Sequence, residues 1–436
     1  MNTFLSLLGF DPAKHSVKVE MMAGLTTFLT MSYILAVNPL ILGETGMDKG
    51  AIFSATVVAA AIASLVMAFY ARMPYGLASG MGLNAFFAYT LVLAMGYTYQ
   101  EALGVVFFEG VVFILLTAFK VREFLFNAIP LNLRYSISVG IGLFVAYIGL
   151  VNGGIIVSSE ATVTALGPWT VSALIAFAGI LVGGALMALK VHGALFYTII
   201  GMTLVGIPFG VTQIPEGFSL VSMPQSMEPI AFKADFSRFL SFDLNFYVVV
   251  FALLIMDLFD TLGTLIGAST SAGMVDPKTG KIHGLNRAMM ADAVGTTAGA
   301  LCGTSTVTTY VESVTGIVAG GRTGLTSFTI ALLFLVALFF SPLILIVPSA
   351  ATTCALVLVG VMMTKPILKV NFSDFTEAVP ALITIITMPF TSSISEGIVL
   401  GMLSYVALKM LTGRYKEISL VMYILSAIFI LKYVVV

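Results

Sequence analysis

Charge is what this chain lacks most. Its 436 residues hold only 20 Lys and Arg and 21 Asp and Glu, 9% of the whole, where a soluble chain carries roughly a quarter. Hydrophobic residues make up 59%, and mean hydropathy is +1.07. A soluble globular protein is excluded, and a polytopic membrane protein is the class that remains. Cysteine is nearly absent: Cys302 and Cys354 both stand in apolar surroundings, which supports neither a disulfide framework nor a zinc site. The three histidines, His15, His192 and His283, lie apart near charged loop residues, so no metal cluster and no cofactor is expected. A net charge of −1 leaves no basic patch, which argues against a nucleic-acid partner. The first twenty residues, with Asp11, Pro12, Lys14 and Lys18, have no apolar core of signal-peptide type. The apolar run that starts near Met21 is therefore expected to be a retained span.

What is there is a long series of apolar runs. A hydrocarbon layer about 30 Å thick needs about 20 helical residues per crossing. Seven spans are expected in a first repeat, 1–212, near 21–42, 51–71, 77–95, 100–119, 134–152, 168–190 and 193–212. An extracytoplasmic connection, 213–244, carries Glu216, Glu228, Lys233, Asp235 and Arg238. A second repeat, 245–411, is expected to span near 245–268, 286–302, 304–320, 324–344, 346–363, 375–390 and 394–411. The segment 412–436 ends in an apolar run, 419–436, that reads equally as a fifteenth span or an interfacial helix.

Charge asymmetry tests that layout. With the N-terminus in the cytoplasm, connections after even-numbered spans should be rich in Lys and Arg. Sixteen basic residues fall on that side, among them Lys14, Arg72, Lys120, Arg122, Lys278 and Lys281, against Lys49, Lys233 and Arg238 on the other. The fourteen-span arrangement in a cell membrane, N-terminus inside, survives.

Two elements look wrong for ordinary helices. In the third, LASGMGLNAFFAY (77–89), Gly80 and Gly82 break the run. The tenth, GTSTVTTYVESV (303–314), is crowded with Thr and Val, which favour extended backbone. They hold matching positions in the two halves, and paired broken segments point to a transporter binding site.

A charge at mid-membrane costs about 2.5–3.5 kcal/mol on insertion scales, so each such residue is a functional candidate. Asp257 and Asp260, in LLIMDLFDTLGTLIG, stand i,i+3 on one helical face, and Glu312 sits in the tenth element. Asn84 lies at the break of the third. Asp292, in ADAVGTTAGALCG, either serves the site or merely caps its element or pairs with Arg287. Glu109, in VVFFEGVVF, reads equally as packing and as function. Phe86, Phe87 and Tyr310 are placed to stack on a planar ligand or simply to pack.

The pieces ASGMGLNAFFAY (78–89), DLFDTLGTLIG (257–267) and GTSTVTTYVESVTGIVAGGRTGLTS (303–327) together resemble the nucleobase–cation symporter superfamily, which includes the nucleobase–ascorbate transporters. The closest likeness is to its azaguanine-type branch of adenine/guanine/hypoxanthine permeases, over nearly the whole chain. The resemblance implies an all-α membrane protein with seven-plus-seven inverted repeats and short strands in elements three and ten. Elements 1–4 and 8–11 would form a core domain, and elements 5–7 and 12–14 a gate domain. It implies that Asn84, Asp257 and Glu312 contact the base, with Asp260 in a supporting or coupling role. Phe86 and Tyr310 are further expected beside the base, and Asp292 and Thr309 in support or coupling. Uracil and xanthine branches read Glu or Gln, Asn, any residue, Gly at the tenth element. Here Glu312 is followed by Ser313, Val314, Thr315 and Gly316, which fits the purine branch.

The expected function is recognition without bond making. Buried carboxylates accept from the N–H donors of a neutral purine, and one of them takes up a proton for symport. Sodium remains open as the coupling ion, and a homodimer is compatible. A sulfate-permease-type anion carrier is disfavoured by carboxylates that would repel its substrate. An intramembrane protease would need two aspartates flanking a bond, whereas Asp257 and Asp260 project in parallel from one helix. A channel would differ by failing to accumulate ligand.

Overall fold

Inside hydrocarbon every backbone N–H and C=O must be bonded internally, so long apolar runs become helices. The computed structural model describes residues 2–119, 129–159, 162–215, 218–241, 244–271, 284–391 and 393–435. Lys120, Arg122, Glu216, Lys278, Lys281 and His283 lie outside the described residues.

All fourteen expected elements are present among them. In the first half, span 1 is Val17–Gly43, span 2 Lys49–Ala71 and span 4 Tyr99–Ala118. Span 3 is a three-residue strand, β1 (Leu77–Ser79), followed by the helix Met81–Ala94. Spans 5, 6 and 7 are Leu131–Asn152, Val171–Ala188 and Ala194–Gly206. In the second half, spans 8 and 9 are Leu244–Ser271 and Leu285–Cys302. Span 10 runs from a second core strand, here β4 (Val307–Thr309), into the half-helix Ser313–Val318. Spans 11 and 12 are Gly324–Leu345 and Ser349–Lys369, and spans 13 and 14 are Phe375–Thr391 and Ile394–Leu411.

By length and composition alone, eight described helices could cross a bilayer. Span 9 shows why hydropathy undercounts. It is built from Ala, Gly and Thr and packs against spans 2 and 4, so it is shielded by protein and needs little grease of its own. The final helix, Leu420–Val435, has 16 residues and rises only about 24 Å. It lies against spans 14 and 8.

Two packing groups emerge. Span 1 packs on 11, and spans 2, 4, 9 and 11 share neighbours; spans 5, 6, 7, 12, 13 and 14 pack chiefly on one another. In the second group, spans 5 and 12 meet backbone to backbone. A Cβ at Gly142 would lie 2.7 Å from the carbonyl oxygen of Gly360, and one at Gly360 would lie 2.5 Å from that of Gly142. Small residues permit that approach where apolar solvent supplies no hydrophobic drive.

The connections add features the apolar runs did not announce. Between spans 5 and 6 a hairpin pairs β2 (Ile156–Ser159) with β3 (Val163–Leu166). The 213–244 connection is tied to the first packing group by Phe232 N–H to Leu301 O at 2.8 Å and Asp235 N–H to Gln100 O at 2.9 Å. Arg238 meets Glu101 at 2.8 Å and stacks 4.0 Å above the Tyr97 ring, so one of the basic residues on this side is neutralised. On the opposite side Lys409, 1% exposed, bridges Glu377 at 2.9 Å and Glu417 at 2.6 Å.

Candidate functional site

The two broken spans meet. β1 and β4 pair antiparallel in the register Leu77↔Thr309, Ala78↔Thr308, Ser79↔Val307. The ladder continues on both sides, from Gly80 N–H to Thr306 O and from Tyr310 N–H to Gly76 O, each 3.0 Å. Every residue of both strands is buried. Extended backbone at this depth is tolerable because protein surrounds it, and the β-branched Val307, Thr308 and Thr309 suit it.

Against this strand pair lies a cavity of about 370 Å³, within the roughly 300–1,000 Å³ range of small-molecule sites. Its carboxylates are Asp260 from span 8 and Glu312 from span 10. Thr308, Thr309 and Tyr310 line one wall, and Met81, Gly82 and Leu83 begin the half-helix of span 3. The second packing group supplies Ile137 and Ile141 from span 5, with Met362 and Met363 from span 12. The cavity therefore lies between the two groups, mostly apolar, with two acids at one side.

Hydrogen bonds hold those acids and their wall in place. Tyr33, at the break of span 1, donates its hydroxyl to Glu312 Oε1 at 2.9 Å. The Tyr310 hydroxyl donates to the carbonyl of Ser79 at 2.5 Å, fixing its ring across the strand pair. Asp292 Oδ1 accepts from the backbone N–H and the hydroxyl of Thr309 at 2.9 and 3.1 Å, and its Oδ2 accepts from Thr261 at 2.9 Å. Asp292 sits mid-helix in Leu285–Cys302, so it does not cap its element, and it clamps β4 to span 9.

The candidates divide in two. Glu312, Asp260, Tyr310 and Thr309 line the cavity, whereas Asn84, Asp257, Asp292 and Phe86 are buried outside its lining. Asn84 Oδ1 accepts from the hydroxyl of Ser305, and its Nδ2 has no acceptor among the described residues. Asp257 and Asp260 stand only about 60° apart around span 8 and about 4.5 Å apart along it, yet only Asp260 reaches the cavity lining. Glu109, solitary in its sequence neighbourhood, accepts the hydroxyl of Thr306 at 2.8 Å. Tyr33 was not anticipated at all. Its signal was the run LTMSYILAVNP, where the helix stops at Met31 and resumes at Ile34.

A deep cavity between two helical groups, walled by a strand pair with two facing acids, defines a multi-pass membrane transporter. The transmembrane domain of a cyanobacterium bicarbonate transporter, BicA, shares this architecture with a TM-score of 0.66 at 15% identity, covering 88% of this chain and 96% of that one. That likeness concerns the seven-plus-seven fold alone. A family model described as "Permease family", the xanthine/uracil permeases, matches residues 18–400. A Methanocaldococcus jannaschii protein named only as a permease is 48% identical over 98% of this chain and 97% of its own. Adenine permease AdeQ of Escherichia coli K12 is 42% identical, covering 97% and 94%, and guanine/hypoxanthine permease PbuO of Bacillus subtilis is 40% identical, covering 96% and 97%. The chain belongs to this permease family, the nucleobase transporters that its motifs resemble, and its relatives are permeases rather than enzymes.

Proposed function

We propose that the protein is a secondary active transporter that imports purine nucleobases, adenine, guanine or hypoxanthine, by proton symport. The observation that carries the reading is the pair Asp260 and Glu312 in the lining of a mostly apolar cavity of about 370 Å³. A purine has a flat apolar body and an edge of N–H donors and ring acceptors. Carboxylates accept from those donors in charge-assisted geometry, stronger than neutral pairs. Tyr310 and the Met and Ile side chains cover the ring faces. Tyr33 occupies one oxygen of Glu312 and leaves the other for the base.

In this reading the first packing group is the core that carries the base, and the second is the gate it moves against. Asn84, Asp257 and Asp292 stand behind the strand pair and hold its shape. Lys365 and Pro366, at the end of span 12, belong to the cavity lining. With the N-terminus inside, that end is cytoplasmic, which supports an inward-open state. Relatives named as adenine and guanine/hypoxanthine permeases support the substrate class.

The test is uptake of labelled hypoxanthine into proteoliposomes, with and without an inward proton gradient or a sodium gradient. Unlabelled adenine, guanine, uracil and sulfate serve as competitors. Accumulation that requires the proton gradient and yields only to purines is the expected result. Uptake driven by sodium alone, or blocked by uracil or sulfate instead, would overturn the coupling or the substrate respectively.

A further inference from the structure

Behind the strand pair, outside the cavity, lies a second acidic constellation that purine recognition does not use. Glu109, on span 4, is 0% exposed. Its Oε2 accepts from Thr306 at 2.8 Å, while no donor among the described residues reaches its Oε1. The carboxyl that meets it is that of Asp257 on span 8, also 0% exposed, and Asp292 on span 9 adds negative charge at longer range. Both facing charges therefore have the same sign. Two carboxylates in contact and shielded from water do not both ionise; one proton between them supplies the missing donor and removes the repulsion.

We propose that the Glu109–Asp257 carboxyl pair is the site that holds the transported proton, separate from the acids that line the cavity. The proposal rests on the reading of the chain as a proton-coupled permease. Its ligand is the proton itself, bound as an O–H bridging the two side chains.

The hydrogen bonds around the pair link it to the cavity. Thr306, which donates to Glu109, also offers its carbonyl to Gly80 N–H at 3.0 Å and immediately precedes β4. Thr261 lies 3.2 Å from Asp257 Oδ1, 2.9 Å from Asp292 Oδ2 and 2.9 Å from the hydroxyl of Thr308, which lines the cavity. A hydroxyl has one proton to give, so it serves Asp257 or Asp292 but not both at once. Neutralising Asp257 releases that proton to Asp292, which clamps Thr309 in the cavity wall. Proton occupancy is thus transmitted to the wall through two short hydrogen-bonded routes.

The experiment compares wild type, Glu109→Gln and Thr306→Val in full-length protein. Infrared spectra of the purified protein are followed as a function of pH in the C=O stretch of protonated carboxyls. Reconstituted vesicles are assayed for labelled hypoxanthine exchange at symmetric pH and for gradient-driven accumulation. Glu109→Gln is expected to lose one titrating C=O band, to keep exchange, and to let the inside-to-outside ratio fall to one. Thr306→Val keeps both acids and is expected to shift the pH at which the band titrates. Wild-type accumulation in Glu109→Gln, or loss of exchange together with accumulation, overturns the proposal. So does a set of titrating bands unchanged by Glu109→Gln, or a titration unmoved in Thr306→Val. The infrared result stands whatever wild type transports, so failure of purine uptake is distinguishable from failure of the proton site.

Discussion

Glu312→Gln isolates the contact on which purine recognition depends. The substitution preserves shape, and the new amide oxygen can still accept from Tyr33, which now donates to Oε1 at 2.9 Å. What changes is the other position, where an acceptor becomes an NH₂ donor facing the donors of the base. A hydrogen bond to a charged group is worth about 1.5–3 kcal/mol, and tenfold in affinity is about 1.4 kcal/mol. Hypoxanthine should therefore bind about 10- to 150-fold more weakly. Tyr33→Phe leaves the carboxylate and removes only its orienting partner. Its cost should be nearer that of an ordinary hydrogen bond, about 0.5–1.5 kcal/mol, or roughly 2- to 10-fold. Calorimetric titration of purified protein with hypoxanthine measures both. An affinity for Glu312→Gln within about twofold of wild type, or a larger loss in Tyr33→Phe, would refute the assignment of Glu312 to the base.

Three further outcomes follow from the same geometry. Asp292→Ala strips three hydrogen bonds and leaves the buried Thr309 N–H unpaired, a cost of about 1–3 kcal/mol; thermal denaturation should show the loss, and Asp292→Asn should recover part of it. Gly82→Val would place its Cβ 2.7 Å from Ile141 Cγ2 across the boundary between the two packing groups; exchange in vesicles should fall about 5- to 150-fold, the scale of the overpacking penalty of about 1–3 kcal/mol. Outside the membrane, Asp374 is held down at about 2, first by the side chain and backbone of Thr376 and then by Arg414, which it meets at 2.5 Å. Its folded value lies below the unfolded one of about 3.9, so its stabilising effect is present above that pH and fades as pH falls toward 2. Asp374→Asn should flatten the pH dependence of the melting temperature in that window, and an unchanged profile would dismiss the link.

Much of the fold was legible because lipid imposes a strong rule on sequence. Runs such as 51–71 and 324–344 must be apolar to cross, and they appear as Lys49–Ala71 and Gly324–Leu345. The strands were legible for a different reason: Val and Thr at 307–309 favour extended backbone and Gly80 stands extended at the end of β1, whereas Gly82, also expected to break the run, lies inside the helix that follows. The β2–β3 hairpin escaped because each strand has only four residues, too short to register in a span-length window. Site assembly was less legible, since its contacts join distant segments. Tyr33 and Glu312 are separated by 279 positions, and Thr306 and Glu109 by 197. No local pattern marks either pair. The same limit applies to Asp257 and Asp260: sequence puts them on one face, and only the packing of span 8 decides which one meets the cavity.

The central claim is that a purine occupies the cavity between the two packing groups. Determining the structure with hypoxanthine bound tests it most directly. The account predicts the base in the 370 Å³ cavity, with its N–H edge on Glu312 and Asp260 and its ring beside Tyr310. A base seated elsewhere, or a cavity left empty at saturating hypoxanthine, would contradict it.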